Sequence, residues 1–136
     1  MKSPRSIGPF VVRRKIGTGG MAEVFEATRP GVDGFELSVA VKRILPHLLE
    51  IEDFGEMFQQ EASVASRLHH GNICQVYSLG RDHETLYMAL EYVDGKDLKT
   101  LSERLRAVGE RMPIAEACTI LAAVCEGLDY ADHELA

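Results

Sequence analysis

Cysteine is scarce in this 136-residue chain: Cys74, Cys118 and Cys125 make an odd number with no CxxC pair. That argues against a disulfide framework and against a zinc site. Cys118 and Cys125 stand seven apart, on one face if the segment is helical, and read as small core residues in a reducing compartment. No apolar run approaches about 18 residues, so no transmembrane helix is expected. Residues 1–9 are basic but lack the apolar stretch of a signal peptide, and the expected location is cytoplasmic. An excess of basic charge is missing too. The net charge of −6 argues against nucleic-acid binding, which needs a basic face, but leaves a single nucleotide open. No repeat and no low-complexity segment occurs.

What is present is an ordinary globular composition, 46% apolar and 26% charged. Residues 1–9, with two prolines, read as a lead-in. Strands are expected over Phe10–Ile16, Ala22–Thr28 and Leu37–Leu45, the last favoured by Val39, Val41 and Ile44. Asp53 and Glu56 have the spacing of a capping box, opening a helix that runs to about Leu68 and stops at Gly71. Two more strands, Ile73–Leu79 and Thr85–Tyr92, flank a turn expected at Gly80-Arg81-Asp82. Helices follow over Asp97–Val108 and, behind Pro113, from Ile114 to about Leu135. Five strands with one helix after the third, then helices alone, describe an α+β unit at 10–92 followed by the start of a helical unit at 93–136.

Three constellations carry chemistry. Gly17, Gly19 and Gly20 stand in the run Gly17-Thr18-Gly19-Gly20-Met21-Ala22-Glu23-Val24, where bare backbone can approach a ligand and amides can face phosphate oxygens; the same run also reads as a plain hairpin turn. It lacks the Gly-Lys-Ser/Thr of a Walker loop, and a strand follows where a dinucleotide fold needs a helix. In Val39-Ala40-Val41-Lys42, the period of two puts Ala40, Lys42 and Ile44 on one strand face, leaving room for a flat ligand beside a cation. Glu61 falls among Met57, Val64, Ala65 and Leu68, inside the expected apolar stripe of its helix, where a carboxylate needs a cation; Lys42 is the candidate. A glycine loop, a strand lysine and a helix glutamate, about twenty residues apart, form the order used by protein kinases.

On these residues the chain resembles the bacterial Hanks-type serine/threonine protein kinases, from about Ile7 to Ala136. The resemblance implies a kinase N-lobe, a five-stranded antiparallel sheet plus one helix, followed by the first helices of a truncated C-lobe. It implies ATP as ligand. Ile16, Val24 and Ala40 would lie over the base, and Lys42 would hold the phosphates with Glu61 as its partner. Leu86-Tyr-Met-Ala-Leu-Glu-Tyr-Val-Asp-Gly95 is similar to the family's fifth strand and hinge. Leu90 would be gatekeeper, the backbone of Glu91 and Val93 would read adenine, and Asp97 would bind ribose or simply cap its helix. Leu68-His-His-Gly-Asn-Ile73 is similar to the family's turn after that helix, with Gly71 in place of proline, so His69 and His70 read as turn residues.

No His-Arg-Asp and no Asp-Phe-Gly occurs in the sequence. The family's catalytic base and the ligands of its Mg2+ are therefore missing from these residues, and the chain alone is expected to be inactive. The face of Ile114, Ala117, Cys118, Leu121, Val124, Cys125 and Leu128 is expected to be exposed or covered by a protein partner or a second copy. Two other readings stand beside the kinase fragment: a non-catalytic, pseudokinase-like interaction module and a truncated gene product.

Overall fold

A computed structural model describes every residue except 1–3, 49 and 52, so the first three residues of the expected lead-in lie outside the described residues. The chain divides into two units. The first comprises the described residues up to His69 together with Cys74–Tyr92; the second comprises His70–Ile73 and Val93–Ala136.

The first unit is an antiparallel sheet with one long helix. Its strands are β1 (Ser6–Ile7), β2 (Phe10–Thr18), β3 (Ala22–Pro30), β4 (Glu36–Ile44), β5 (Val76–Asp82) and β6 (Thr85–Glu91), in the order β1-β2-β3-β4-β6-β5. The expected five strands are all there. The sixth, two residues long, lies in the segment read as a lead-in, where Ile7 pairs with Phe10 and is fully buried. Helix α1 (Phe54–Ser66) connects β4 to β5. Val39, Ala40 and Val41 are consecutive and all buried, the mark of a strand covered on both faces. One face carries Ile7, Phe10, Phe25, Ala27, Val39, Val41, Tyr87 and Ala89. The other packs Ile44, Leu86 and Met88 against Phe58 and Ala62 of α1, with Leu48 and Val76.

Three local expectations are corrected. The turn between β5 and β6 falls at His83-Glu84, with His83 in the left-handed region (φ 52), not at Gly80–Asp82. Gly80 is a strand residue for a packing reason: a Cβ there would overlap the Tyr87 hydroxyl, and so would one at Gly8. Gly8 also has φ +53, so glycine is required there twice over. The Tyr87 ring thus lies against two bare backbones and meets Phe10 edge-on at 5.9 Å.

Asp53 does occupy the N-cap of α1, but without a capping box. Its φ of 82 is left-handed, and its side chain makes no capping bond. A capping side chain needs the β region to reach the N2 or N3 amide. The buried face of α1 is also rotated from the expected stripe. Phe58 and Ala62 are buried, whereas Met57 and Val64 are exposed. Glu61 falls between these two sets, at the border of the core rather than within it.

The second unit holds α2 (Leu98–Ala107), α3 (Ile114–Leu135) and the short segment His70–Ile73. Asn72 Nδ2 donates to the Ala123 carbonyl at 3.0 Å and to Glu126 Oε2 at 3.3 Å. Gly127 packs against Ile73 and Asn72, and the His70 ring lies 5.1 Å from that of Tyr130. The turn role expected of His70 holds: its Nδ1 accepts the Asn72 amide at 3.0 Å. The opposite face of α3 is exposed at Ile114, Leu121, Val124 and Leu128. Cys118 and Cys125 lie on that exposed face, not in a core, because α3 packs through its Asn72-facing side.

Overfilling a packed site costs about 1–3 kcal/mol. Gly80→Ala should therefore lower the unfolding free energy by about 2 kcal/mol in urea titration. Because the two residues touch, Tyr87→Leu in the same chain should recover part of that loss.

Candidate functional site

β2 and β3 form a hairpin whose register sets Gly17 opposite Val24 and Thr18 opposite Glu23. The Gly19 amide donates to the Ala22 carbonyl at 2.8 Å and closes the turn. None of Gly17, Gly19 and Gly20 has positive φ. A Cβ added to any of them would come no nearer than 3.7 Å to a heavy atom beyond its neighbours. The turn's own backbone therefore does not call for glycine at these three positions, unlike Gly8 and Gly80. What the glycines supply is a flap without side chains. It adjoins Lys42, since Val24 pairs directly with Lys42 across β3 and β4.

Lys42 Nζ lies 2.5 Å from Glu61 Oε1 and 5.7 Å from the centre of the Phe58 ring. The pairing expected from the sequence is present, but burial does not compel it. The Glu61 side chain is 51% exposed and that of Lys42 27%, so no buried acid is forced to find a cation. An ion pair in such a setting stabilises a fold by about 0–1 kcal/mol. Its effect is to aim the lysine, not to hold the domain together.

A cavity of about 480 Å³ opens beside this pair, between Met21 and Ala22 of the flap, Lys42 and Ile44 of β4, and Met57 and Val64 of α1. The residues expected to lie on adenine extend from Lys42 in the other direction along the sheet. Ala40 is buried opposite Leu90, Val24 and Leu90 are half-buried, and Ile16 is exposed. Thr18 lies exposed beside the turn. Glu91 has its amide committed to the Gln75 carbonyl at 2.8 Å, and its carboxylate accepts the Gln75 amide at 3.1 Å. Its carbonyl accepts the Cys74 thiol at 3.4 Å, a weak bond that leaves a lone pair open. Burial, and then the Glu91 charge, push the Cys74 thiol up, so it stays a protonated donor.

Val93 and Asp97 belong to the second unit. Asp97 caps α2: Oδ1 accepts the Thr100 amide at 2.7 Å and Oδ2 accepts the Thr100 hydroxyl at 2.8 Å. Those bonds hold its carboxyl below the ordinary range. Of its two open readings, capping is the one with observed partners; each carboxylate oxygen keeps a second lone pair.

The sequence reading missed two charged networks. Glu23 accepts Lys15 Nζ at 2.8 Å and Arg43 Nη2 at 2.6 Å. Burial pushes the Glu23 carboxyl up, but hydrogen bonds from Lys15 and Arg43 more than offset it and leave it below the ordinary range. Glu26 accepts Arg14 Nε at 2.6 Å and the Tyr92 hydroxyl at 3.4 Å, joining β2 and β3 to the residue that follows β6. The hairpin register would have disclosed both, because residues opposite or two off across a pair are neighbours. Among the described residues, no three His, Cys, Asp or Glu come together closely enough to hold a metal ion, and no helix is long and apolar enough to cross a membrane.

Residues 10–134 match the family model described as protein kinase domain. The chain is 42% identical over 130 residues to the tyrosine-protein kinase MasK of Myxococcus xanthus, which covers 93% of this chain and 20% of MasK. It is 35% identical over 123 residues to the serine/threonine-protein kinase PknI of Mycobacterium tuberculosis, covering 90% of this chain and 20% of PknI. A crystal structure of a point mutant of the PknI kinase domain superposes with a TM-score of 0.77 at 31% identity, covering 96% of this chain and 52% of that one. The chain thus spans about a fifth of the length of the curated relatives it matches.

Two expectations follow from the electrostatics. Lys42→Met and Glu61→Gln should each change the unfolding free energy by less than about 1 kcal/mol in urea titration. Glu23 is ionised more easily in the folded chain than in the unfolded one, so its contribution is present above the ordinary glutamate value, about 4.3, and lost as pH falls through the lower folded value. Glu23→Gln should therefore flatten the acid limb of a stability-against-pH curve below about pH 4.

Proposed function

This chain belongs to the protein kinase domain family as the N-terminal portion of a bacterial Hanks-type kinase domain, and from that premise we propose that it supplies the ATP-holding part of phosphoryl transfer to protein serine or threonine. The observation that carries the reading is the flap. Three glycines that their own turn does not require leave bare backbone next to a lysine aimed by a glutamate.

The chemistry follows from charge. The Lys42 ammonium would neutralise phosphate oxygens, and Glu61 would keep it from swinging into solvent. With the Gly19 amide spent on Ala22, phosphate contact would fall to the amides of Gly20 and Met21. Ile16, Val24, Ala40 and Leu90 offer apolar surface to the base. Glu91 keeps its carbonyl for the adenine edge. The roles of Val93 as adenine donor and of Asp97 as ribose acceptor are those the family resemblance implies, and Thr100 leaves Asp97 a lone pair for the second. Among the described residues no group of three or more His, Cys, Asp or Glu gathers that could hold the family's Mg2+. The acceptor class rests on the likeness to PknI and on the motif set; phosphoamino-acid analysis of the whole kinase distinguishes it from the tyrosine specificity in the name of MasK. The same reading places these residues in the cytoplasm, where ATP is.

A second reading, a non-catalytic interaction module, draws on the exposed face of α3 at Ile114, Leu121, Val124 and Leu128. One titration separates the two. The 136-residue chain should bind ATP weakly and transfer no phosphate, and Lys42→Met should weaken binding by about tenfold or more. Changing Gly17, Gly19 and Gly20 together to alanine should weaken binding comparably while leaving the melting temperature nearly unchanged, because the turn tolerates the added methyl groups. A concentration-dependent dimer indifferent to ATP, with Lys42→Met and wild type alike, would instead select the interaction module.

A further inference from the structure

Arg43 alternates with Lys42 along β4, so the two cations lie on opposite faces of the sheet. Lys42 meets α1 on one face; on the other, Arg43 meets Glu23, its direct partner across β3. Glu23 is the second residue of β3 after the flap turn and stands opposite Thr18, so it sits at the root of the flap. Its carboxylate divides between two strands, one oxygen to Lys15 of β2 and the other to Arg43 of β4. The Glu23 and Arg43 side chains are 15% and 19% exposed, and the Arg43 guanidinium also lies over the Phe25 ring at 5.4 Å. Arg43 Nε is buried without a hydrogen-bond partner among the described residues, which makes the Glu23 contact the compensation for a cation held largely out of water.

We propose that Glu23 is a positioning residue for nucleotide: by drawing one cation from each neighbouring strand it fixes the root of the glycine flap to the strand that carries Lys42. This rests on the ATP reading above. A flap made of glycines has little rigidity of its own, since each glycine gives up the most backbone freedom on ordering. Stiffness at that turn must come from where its strands are anchored. Two charge-assisted bonds at one carboxylate tie β3, at its second residue after the turn, to Lys15 of β2 on one side and to Arg43 of β4 on the other. Loss of the clamp would leave the flap open for longer, and bound nucleotide would leave faster.

The test compares Glu23→Gln with Arg13→Gln in the 136-residue chain. The second variant removes the exposed Arg13–Glu36 pair of the same sheet, away from the flap. Two quantities are read: amide exchange over residues 17–22 without nucleotide, and the dissociation rate of methylanthraniloyl-ATP. Glu23→Gln is expected to accelerate both by about threefold to tenfold. Arg13→Gln is expected to move neither. Lys15→Gln, which removes one arm and leaves the less exposed Arg43 paired, should give an intermediate acceleration even if Glu23→Gln folds poorly. Flap exchange and dissociation unchanged from wild type in Glu23→Gln or Lys15→Gln, or matched by Arg13→Gln, overturn the proposal. If the wild-type chain binds no nucleotide, the ATP reading fails, while flap exchange still decides whether Glu23 holds the flap.

Discussion

The arrangement depends on β4 being gripped through its side chains on both faces at two successive residues. Lys42 is drawn toward a helix and Arg43 toward the neighbouring strand, so charged contacts act on β4 from both faces. The Lys42–Glu61 contact is half exposed and adds little to stability, whereas the Arg43–Glu23 contact is largely out of water and compensates a buried cation. The hydrophobic face formed by Phe25, Val39, Val41 and Tyr87 and the opposite one formed by Ile44, Met88 and Phe58 hold the sheet together. The charged pairs determine where particular groups point. This separation of tasks lets the site be wet and accessible while the scaffold stays rigid.

The glycines divide in the same way. Gly8 and Gly80 answer to the fold, because the Tyr87 ring fills the space of a Cβ at either position. Gly17, Gly19 and Gly20 answer to nothing that the described residues do. Composition alone cannot tell these two kinds apart. A glycine that the surrounding packing does not need draws attention to something that comes close from outside the chain.

Much of the fold was legible because its signals are local. The β-branched Val39, Val41 and Ile44 of β4, Gly71 beyond α1 and Pro113 before α3 act within a few residues, and these elements lie where expected. The Lys42–Glu61 pair was legible from order and spacing, although Glu61 stands half exposed and not inside the apolar stripe. Phe54 and Phe58 turn α1 so that Glu61 falls at the edge of the core. What failed depended on distant atoms. Gly80 looked like a turn because nothing nearby in sequence reveals that Tyr87 lies across it. Asp53 had the spacing of a capping box, but its left-handed φ of 82 goes with a side chain that makes no capping bond. The Glu23 network needs a hairpin register, and the bulges between Val12 and Arg14 and between Lys15 and Gly17 shift that register where counting would otherwise place it.

Asn72 is contributed by the stretch between α1 and β5, yet its amide group is bonded to α3, more than fifty residues later. The helical unit is consequently not a continuous piece of polypeptide. Cutting the gene after Tyr92 would not yield two independent modules: the downstream product would lose the four-residue plug that seats against Gly127, and the upstream product would carry that plug with no socket. Grafting either portion onto another scaffold would have to exchange both stretches together.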